Sequence, residues 1–318
     1  MKKLNVAVLD DYQNVAHNYT NWEKLSKNIE LKVFNKYIGD DTNLSEKLFD
    51  FDVLCLMRER TALPGTLINR LPNLKLVITS GMWNASVDSE TLKNKNIIYC
   101  GTETKIHSTA ELAWALIMNS WRGLQIEIQN MKEGNWQTTI GKGLKGNTLG
   151  IFGLGKQGLQ VANYGKAFGM KVIAWSHNLK EEYCEKVGVE YVSSADLFKM
   201  SDILTIHTRL SDRTRGYINK NNLKLMKKDS IIVNTSRGPI IKEQDLIDAL
   251  NKEIISFAAL DVYDKEPLPK DHILRKTKKL ILTPHIGYVS NEAYEKFFNG
   301  YVKTIEAFLN QKPINQIS

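Results

Sequence analysis

The sequence predicts an α/β fold with two parallel sheets, and three observations carry that prediction: the length, an end-to-end alternation of short apolar runs with helical stretches, and a restart of that alternation near residue 148. At 318 residues the chain has room for two domains of about 100 to 200 residues, each able to bury its own core. Runs of four or five apolar residues suit strands covered by helices on both faces, which is the arrangement of doubly wound parallel sheets. In the first hundred residues the strand candidates are Val6 to Leu9, Leu31 to Phe34, Val53 to Met57, Leu76 to Thr79 and Ile97 to Cys100. A stronger second series follows: Leu149 to Phe152, Val172 to Trp175, Val189 to Val192, Ile203 to Ile206, Ile231 to Asn234, Ser256 to Leu260 and Leu280 to Leu282.

Between the two series the spacing predicts one long helix, Ser108 to Lys132, opened by Ser108-Thr109-Ala110-Glu111 as a capping box. Its Leu112, Ala113, Leu116, Ile117 and Ser120 recur at helical spacing, and Trp114 and Trp121 widen the apolar surface beyond one side. Such a helix packs either in an interdomain core or against a second subunit. After the last strand, Asn291 to Asn310 reads as a closing amphipathic helix carrying Tyr294, Phe297, Phe298, Tyr301, Ile305 and Phe308.

Composition narrows the class. Apolar residues make up 42% and charged residues 25%, ordinary globular usage, and 20 Gly with 7 Pro exclude a fibrous or low-complexity chain. Near the N-terminus the apolar stretch stops at Asp10 and Asp11, too short for a secretory segment, and no run approaches the roughly 18 apolar residues that span a bilayer. No membrane association is expected. Cys55, Cys100 and Cys184 are far apart and lack CxxC or HxxxH company, so neither a disulfide framework nor a metal site is expected, and a cytoplasmic location fits. The net charge of +8 comes from 43 Lys and Arg against 35 Asp and Glu. Its densest clusters, Lys224 to Lys228 and Arg275 to Lys279, lie beside strands as solvated turns, so no nucleic-acid partner is expected, although an anionic substrate or cofactor would use the field.

One motif stands out in context. Thr148 to Gly158 runs from a strand into G-x-G-x-x-G and on into a helix, with a second strand following, which is the full setting of a dinucleotide-binding turn. There Gly153 makes the tight turn, Gly155 lets backbone amides approach a pyrophosphate, and Gly158 permits close packing, while Lys156 and Gln157 open a helix whose N-terminus favours negative charge. At the end of the second strand, where a carboxylate ordinarily accepts the ribose hydroxyls, stands Ser176, followed by His177, Asn178 and Lys180. The sequence favours NAD(H), with Ser176 bonding a ribose hydroxyl, and leaves NADP(H) open, its 2′-phosphate pairing with Lys180 or a protonated His177.

Three further segments follow strands of the second series: Asn234-Thr235-Ser236-Arg237-Gly238-Pro239, then Asp261-Val262-Tyr263-Asp264-Lys265-Glu266-Pro267, then Pro284-His285-Ile286-Gly287. With the glycine loop, these four motifs resemble, in order and spacing, the D-isomer-specific 2-hydroxyacid dehydrogenase family over nearly the whole chain. The resemblance implies Arg237, Glu266 and His285 as a catalytic trio. It implies Thr235, His207 and Asp261 along the cofactor, and a substrate-anchoring loop, Leu76 to Asn84, whose amides at Ser80, Gly81 and Met82 hold a carboxylate; Arg60, which follows the Val53 to Met57 strand, is placed to reach an acidic substrate. Arg58 is expected in a solvated loop, and His17, His107 and His272 at the surface.

The chemistry agrees with those roles. Reducing a 2-keto acid puts negative charge on its carbonyl oxygen, and histidine is the side chain suited to give or take a proton near neutrality. A carboxylate fixes the imidazole tautomer, and a planar guanidinium clamps or polarises the substrate. The resemblance further implies a Rossmann NAD(P)-binding domain, 103–285, inserted in a flavodoxin-like substrate domain of 1–102 plus 286–318, with hinges near 102 and 286, catalysis in the interdomain cleft, and a homodimer joined through the Ser108 to Lys132 helix. The alternative is a non-enzymatic NAD(H)-sensing protein on the same fold. A formate dehydrogenase is disfavoured, since that branch resembles this chain but carries glutamine where Glu266 stands.

Overall fold

In the computed structural model, which describes residues 2–39, 41–103 and 107–317, the chain forms two compact units. One is Met1–Ile106 with Val289–Ser318; the other is His107–Tyr288. The boundary expected at 102/103 adjoins residues 104–106, which lie outside the described residues.

The first unit holds β1 (Leu4–Val8), β2 (Ile29–Val33), β3 (Val53–Leu56), β4 (Leu76–Thr79) and β5 (Ile98–Gly101). All neighbours pair in parallel, in the order β2-β1-β3-β4-β5. The order reverses between β1 and β3, and in open sheets of this kind the carboxyl ends at the reversal form a crevice suited to ligands. Tyr301, buried within the Asn291–Leu309 helix, donates its hydroxyl to Leu56 O and so ties the C-terminal segment to β3. That helix is capped by Ser290, whose hydroxyl accepts from Ala293 N, and it buries Tyr294, Phe297, Phe298, Tyr301 and Ile305 as expected.

The second unit holds β6 (Thr148–Phe152), β7 (Lys171–Trp175), β8 (Glu190–Tyr191), β9 (Ile203–Ile206), β10 (Ile231–Asn234), β11 (Phe257–Leu260) and β12 (Leu280–Leu282). Its parallel order is β12-β11-β10-β9-β6-β7-β8, with the reversal at β6 and β9. Alternate side chains enter two cores. Leu204, Ile206, Ile232 and Leu260 pack on one face, and Ile203, Ile231, Val233 and Ala259 on the other. This two-sided burial is why the strands read as continuous apolar runs.

Two helical expectations need correction. The single helix from Ser108 to Lys132 is broken at Gly123, whose left-handed φ of +65° ends the Ser108–Arg122 helix and begins Leu124–Lys132. The first piece buries Ala110, Ala113, Leu116, Ile117 and Trp121, whereas the second buries nothing. The capping box is also absent: His107 is the N-cap and makes no side-chain cap, and the buried Ser108 hydroxyl has no partner among the described residues. Among the described residues no helix is long and apolar enough to cross a membrane.

Candidate active site

The strand order brings the three motif residues to neighbouring ends, because β10, β11 and β12 lie side by side and Arg237, Glu266 and His285 follow them in turn. His285 Nδ1 meets Glu266 Oε2 at 2.5 Å, with the two side chains 15% and 25% exposed. The other oxygen of Glu266 accepts from Tyr263 N at 2.9 Å, so the carboxylate is fixed before it meets the ring. With Nδ1 engaged, Nε2 remains without a hydrogen bond among the described residues, and the ring edge packs 5.5 Å from Tyr288. Arg237 donates to Ser236 O at 2.7 Å, and its loop is laced by Asn234, whose side chain donates to Arg237 O and accepts from Ser236 N. Gly238 is required beside it: a Cβ there would stand 2.1 Å from the Tyr263 carbonyl carbon, so the Arg237 and Glu266 loops touch backbone to backbone.

Asp261 does something the sequence did not announce. It is fully buried, and its carboxylate faces the turn that carries His285. Oδ1 accepts from the Thr283 hydroxyl at 2.6 Å and from Ile286 N at 2.9 Å, and Oδ2 accepts from Gly287 N at 2.9 Å. His285 sits inside this bracket at φ +51°, a left-handed conformation that a β-substituted residue holds only when its surroundings impose it. Burial raises the Asp261 carboxyl above its ordinary range, and the three donors and the nearby His285 offset that rise only in part. Within the protein, both Asp261 oxygens accept hydrogen bonds from the turn that carries His285.

The glycine turn has the form that a dinucleotide needs. Gly153 adopts φ +103° after β6, where a Cβ would meet Thr208 N at 2.7 Å, and a Cβ on Gly158 would meet Gly153 O at 2.1 Å. A Cβ on Gly155, at the helix N-terminus, would meet no neighbouring group within 4 Å, so that side of the turn is open to a ligand. Two further predicted positions fit a bound polar group: Gln157 Oε1 and Thr235 Oγ1 are buried without a hydrogen-bond partner among the described residues. A buried polar atom left alone is costly, and a ligand hydrogen bond removes that cost. Lys156 is exposed at the helix start. His207, half-buried, contacts the Thr205 hydroxyl through Nε2 at 2.9 Å, and desolvation pushes its pKa down to about 4, which keeps it neutral.

In the first unit the anchoring loop is only partly available. Ser80 N is bound to Leu56 O and Gly81 N to the Thr102 hydroxyl, so neither amide is left for a substrate carboxylate, while the amides of Met82 and Trp83 carry no hydrogen bond among the described residues. Arg60 donates to Asp10 O at 2.7 Å and lies over the Tyr12 ring. Arg58 is not in a solvated loop. It is half-buried at φ +52°, with its amide on Ser80 Oγ and its guanidinium on Ser80 O, so it braces the β3 and β4 ends together. His272, expected at the surface, is half-buried, pairs with Glu243 at 3.4 Å, and accepts from Leu274 N as a cap. His107 contacts the Gln160 amide.

The sequence model of the D-isomer specific 2-hydroxyacid dehydrogenase NAD binding domain matches residues 114–287. The chain belongs to that family. Among relatives, it is 35% identical over 302 residues to a glyoxylate reductase of Aeropyrum pernix, covering 91% of this chain and 90% of the relative. Among solved structures it resembles a putative D-3-phosphoglycerate dehydrogenase oxidoreductase of Ralstonia solanacearum, at 36% identity and a TM-score of 0.93, over 99% of this chain and 96% of that one. It also resembles a D-lactate dehydrogenase of Aquifex aeolicus complexed with NAD and lactic acid, at 26% identity and a TM-score of 0.80, over 97% of this chain and 96% of that one. These 2-hydroxyacid dehydrogenases are oxidoreductases, and the family's NAD binding domain falls within the unit that contains the glycine turn, Glu266 and His285.

Proposed function

We propose that this family member transfers a hydride between a nicotinamide dinucleotide and a small D-2-hydroxy acid or its 2-keto acid. The observation that carries the reading is the Glu266–His285 pair, 2.5 Å apart, which leaves Nε2 of an imidazole free. The chemistry supplied by the bound dinucleotide is hydride transfer to or from C2 of the acid. In the reducing direction His285 Nε2 gives its proton to the carbonyl oxygen as negative charge develops there, and in the oxidising direction it takes the proton back. Glu266 holds Nδ1, fixing the ring's orientation and stabilising its charged form. Arg237 binds and polarises the acid, its permanent charge facing the carboxylate or carbonyl. Within the first unit, the Met82 and Trp83 amides, which carry no hydrogen bond among the described residues, suit an anionic group. The dinucleotide is held by the Gly153, Gly155 and Gly158 turn, Lys156, Gln157, Ser176, Thr235 and His207.

Two further features belong to this reading. The Leu124–Lys132 helix exposes Leu124, Ile126, Ile128 and Met131, and Trp136 and Ile140 follow it exposed, an apolar surface suited to a second copy of the chain in a homodimer. The three cysteines are free and buried, consistent with work in the cytoplasm. The test is direct: mix the protein with reduced cofactor and a panel of 2-keto acids and follow the loss of nicotinamide absorbance. Turnover on a small keto acid is expected. Cofactor binding with no turnover on any of them would contradict the enzyme and leave a sensor.

A further inference from the structure

The carboxyl end of β7 carries an arrangement that the glycine motif does not account for. Trp175, the last residue of β7, stacks on Tyr217 with ring centres 5.3 Å apart and an angle of 21°. His177 stands 4.9 Å from Trp175 and 5.1 Å from Tyr217, edge-on to the latter. The Tyr217 hydroxyl is fixed by Ser194 Oγ at 2.6 Å. This ring cluster joins two segments far apart in sequence, the Ser176–Lys180 turn and the loop that follows β9. The loop is itself stiff: the buried Thr214 hydroxyl takes Ser211 N at 2.8 Å and donates to Arg209 O at 2.7 Å. Its tip presents Arg213, whose guanidinium donates to the Asn178 side-chain amide oxygen at 3.2 Å, while that amide's nitrogen donates to His177 O.

Cationic groups gather at this corner, although Asp212 precedes Arg213 in the same loop. Partial burial and then the Arg213 charge lower the His177 pKa, and no carboxylate offsets them, although Glu181 and Glu182 open the next helix. Lys180 adjoins the same turn. In dinucleotide folds the end of this strand meets the adenosine ribose. A carboxylate there accepts the 2′- and 3′-hydroxyls of NAD and repels a 2′-phosphate, whereas an arginine accommodates that phosphate. This chain has a small hydroxyl at Ser176 where the carboxylate would be, and an arginine brought in from another loop.

We infer that Arg213, with Ser176, His177 and Lys180, forms a 2′-phosphate site that makes the protein selective for NADP(H) over NAD(H). The inference rests on the dinucleotide-binding reading above and reverses the preference drawn from sequence. A guanidinium offers a phosphate two parallel hydrogen bonds and a full charge, which neither Lys180 nor a neutral His177 supplies in that form. The Asn178 contact is long and exposed, so little is lost when the guanidinium leaves it for phosphate oxygens.

Calorimetric titration of the protein with NADPH and NADH separately tests this without relying on turnover. NADPH is expected to bind at least about tenfold more tightly. Arg213→Ala, an exposed position whose loss leaves the cores intact, should weaken NADPH binding by about tenfold and leave NADH unchanged, with Arg213→Lys in between. Ser176→Asp should reject NADPH while keeping NADH. NADH binding as tightly as NADPH, or an Arg213→Ala protein with undiminished NADPH affinity, overturns the inference and leaves the dinucleotide site standing. Failure of both dinucleotides to bind overturns the underlying reading as well.

Discussion

The two ends of the nucleotide sheet are built on opposite principles. Beyond β10, β11 and β12 the carboxylates and loops around His285 are held by a hydrogen-bond network: Asp261 accepts three hydrogen bonds from one turn, Glu266 is held by Tyr263 before it reaches His285, and the Asn234 side chain laces the Arg237 loop. Beyond β7 the charged groups are exposed, and the side-chain amide of Asn178 accepts from Arg213 at 3.2 Å. A group that must deliver a proton along one direction needs a rigid frame, since a displacement of about 1 Å can cost a hundredfold in rate. A group that meets a phosphate at the surface needs charge and reach more than rigidity. On the proposed reading, the chemistry is lodged where the network is dense, and the cofactor choice where single side chains can change without disturbing a fold.

That contrast can be broken at its rigid end first. Asp261→Asn keeps the shape but replaces one accepting oxygen with a donating amide NH2, which then faces the N–H groups of the 286–287 turn. A buried N–H left unpaired costs about 1–3 kcal/mol. The variant should melt measurably lower, and through the displaced His285 it should lose about a hundredfold in kcat while still binding dinucleotide. An unchanged kcat would mean that the bracket does not position the ring. By contrast, Arg213→Ala should leave the melting temperature untouched and move cofactor affinity alone.

A smaller effect sharpens the boundary between the two regions. His207, at the end of β9, has a pKa pushed down to about 4 by desolvation, against an ordinary value of 6.5. The folded protein therefore binds fewer protons than the unfolded chain between those pH values, and stability falls as pH drops from 6.5 towards 4. At about 1.4 kcal/mol per unit, the loss is at most roughly 3 kcal/mol, less whatever water reaches the half-buried ring. In His207→Gln that part of the acid sensitivity should vanish, so the stability difference between the two proteins, measured by thermal unfolding at pH 4 and pH 7, should shift against the wild type at the lower value.

Much of this fold was legible because a parallel sheet buried on both faces writes itself as apolar runs. Leu76–Thr79, Ile203–Ile206, Ile231–Asn234 and Leu280–Leu282 stand where the runs put them. Strand ends drifted where a polar residue continues the ladder, as Thr148 and Lys171 do in β6 and β7, and where β8 is cut to Glu190–Tyr191 at the sheet edge. Gly123 was visible in the Ser108 to Lys132 pattern, but a periodicity reading tolerates one glycine, and only the backbone shows it left-handed. His285 and Glu266 could be singled out by motif. The Asp261 bracket could not, since the same aspartate satisfies either a cofactor or a turn. Arg213 gave no signal at all, because an arginine 35 residues from Asn178 in a polar turn reads as solvated until the Trp175–Tyr217 stack draws the segments together.

The measurement closest to the centre of this account is a single turnover. Protein carrying prebound reduced dinucleotide is mixed rapidly with excess keto acid, and nicotinamide absorbance is followed for the wild type and for His285→Gln. The variant is expected to bind the dinucleotide normally and to consume it about 10² to 10⁴ times more slowly. Consumption within a few-fold of the wild-type rate would show that the proton comes from elsewhere, and the Glu266–His285 pair would lose its assigned role.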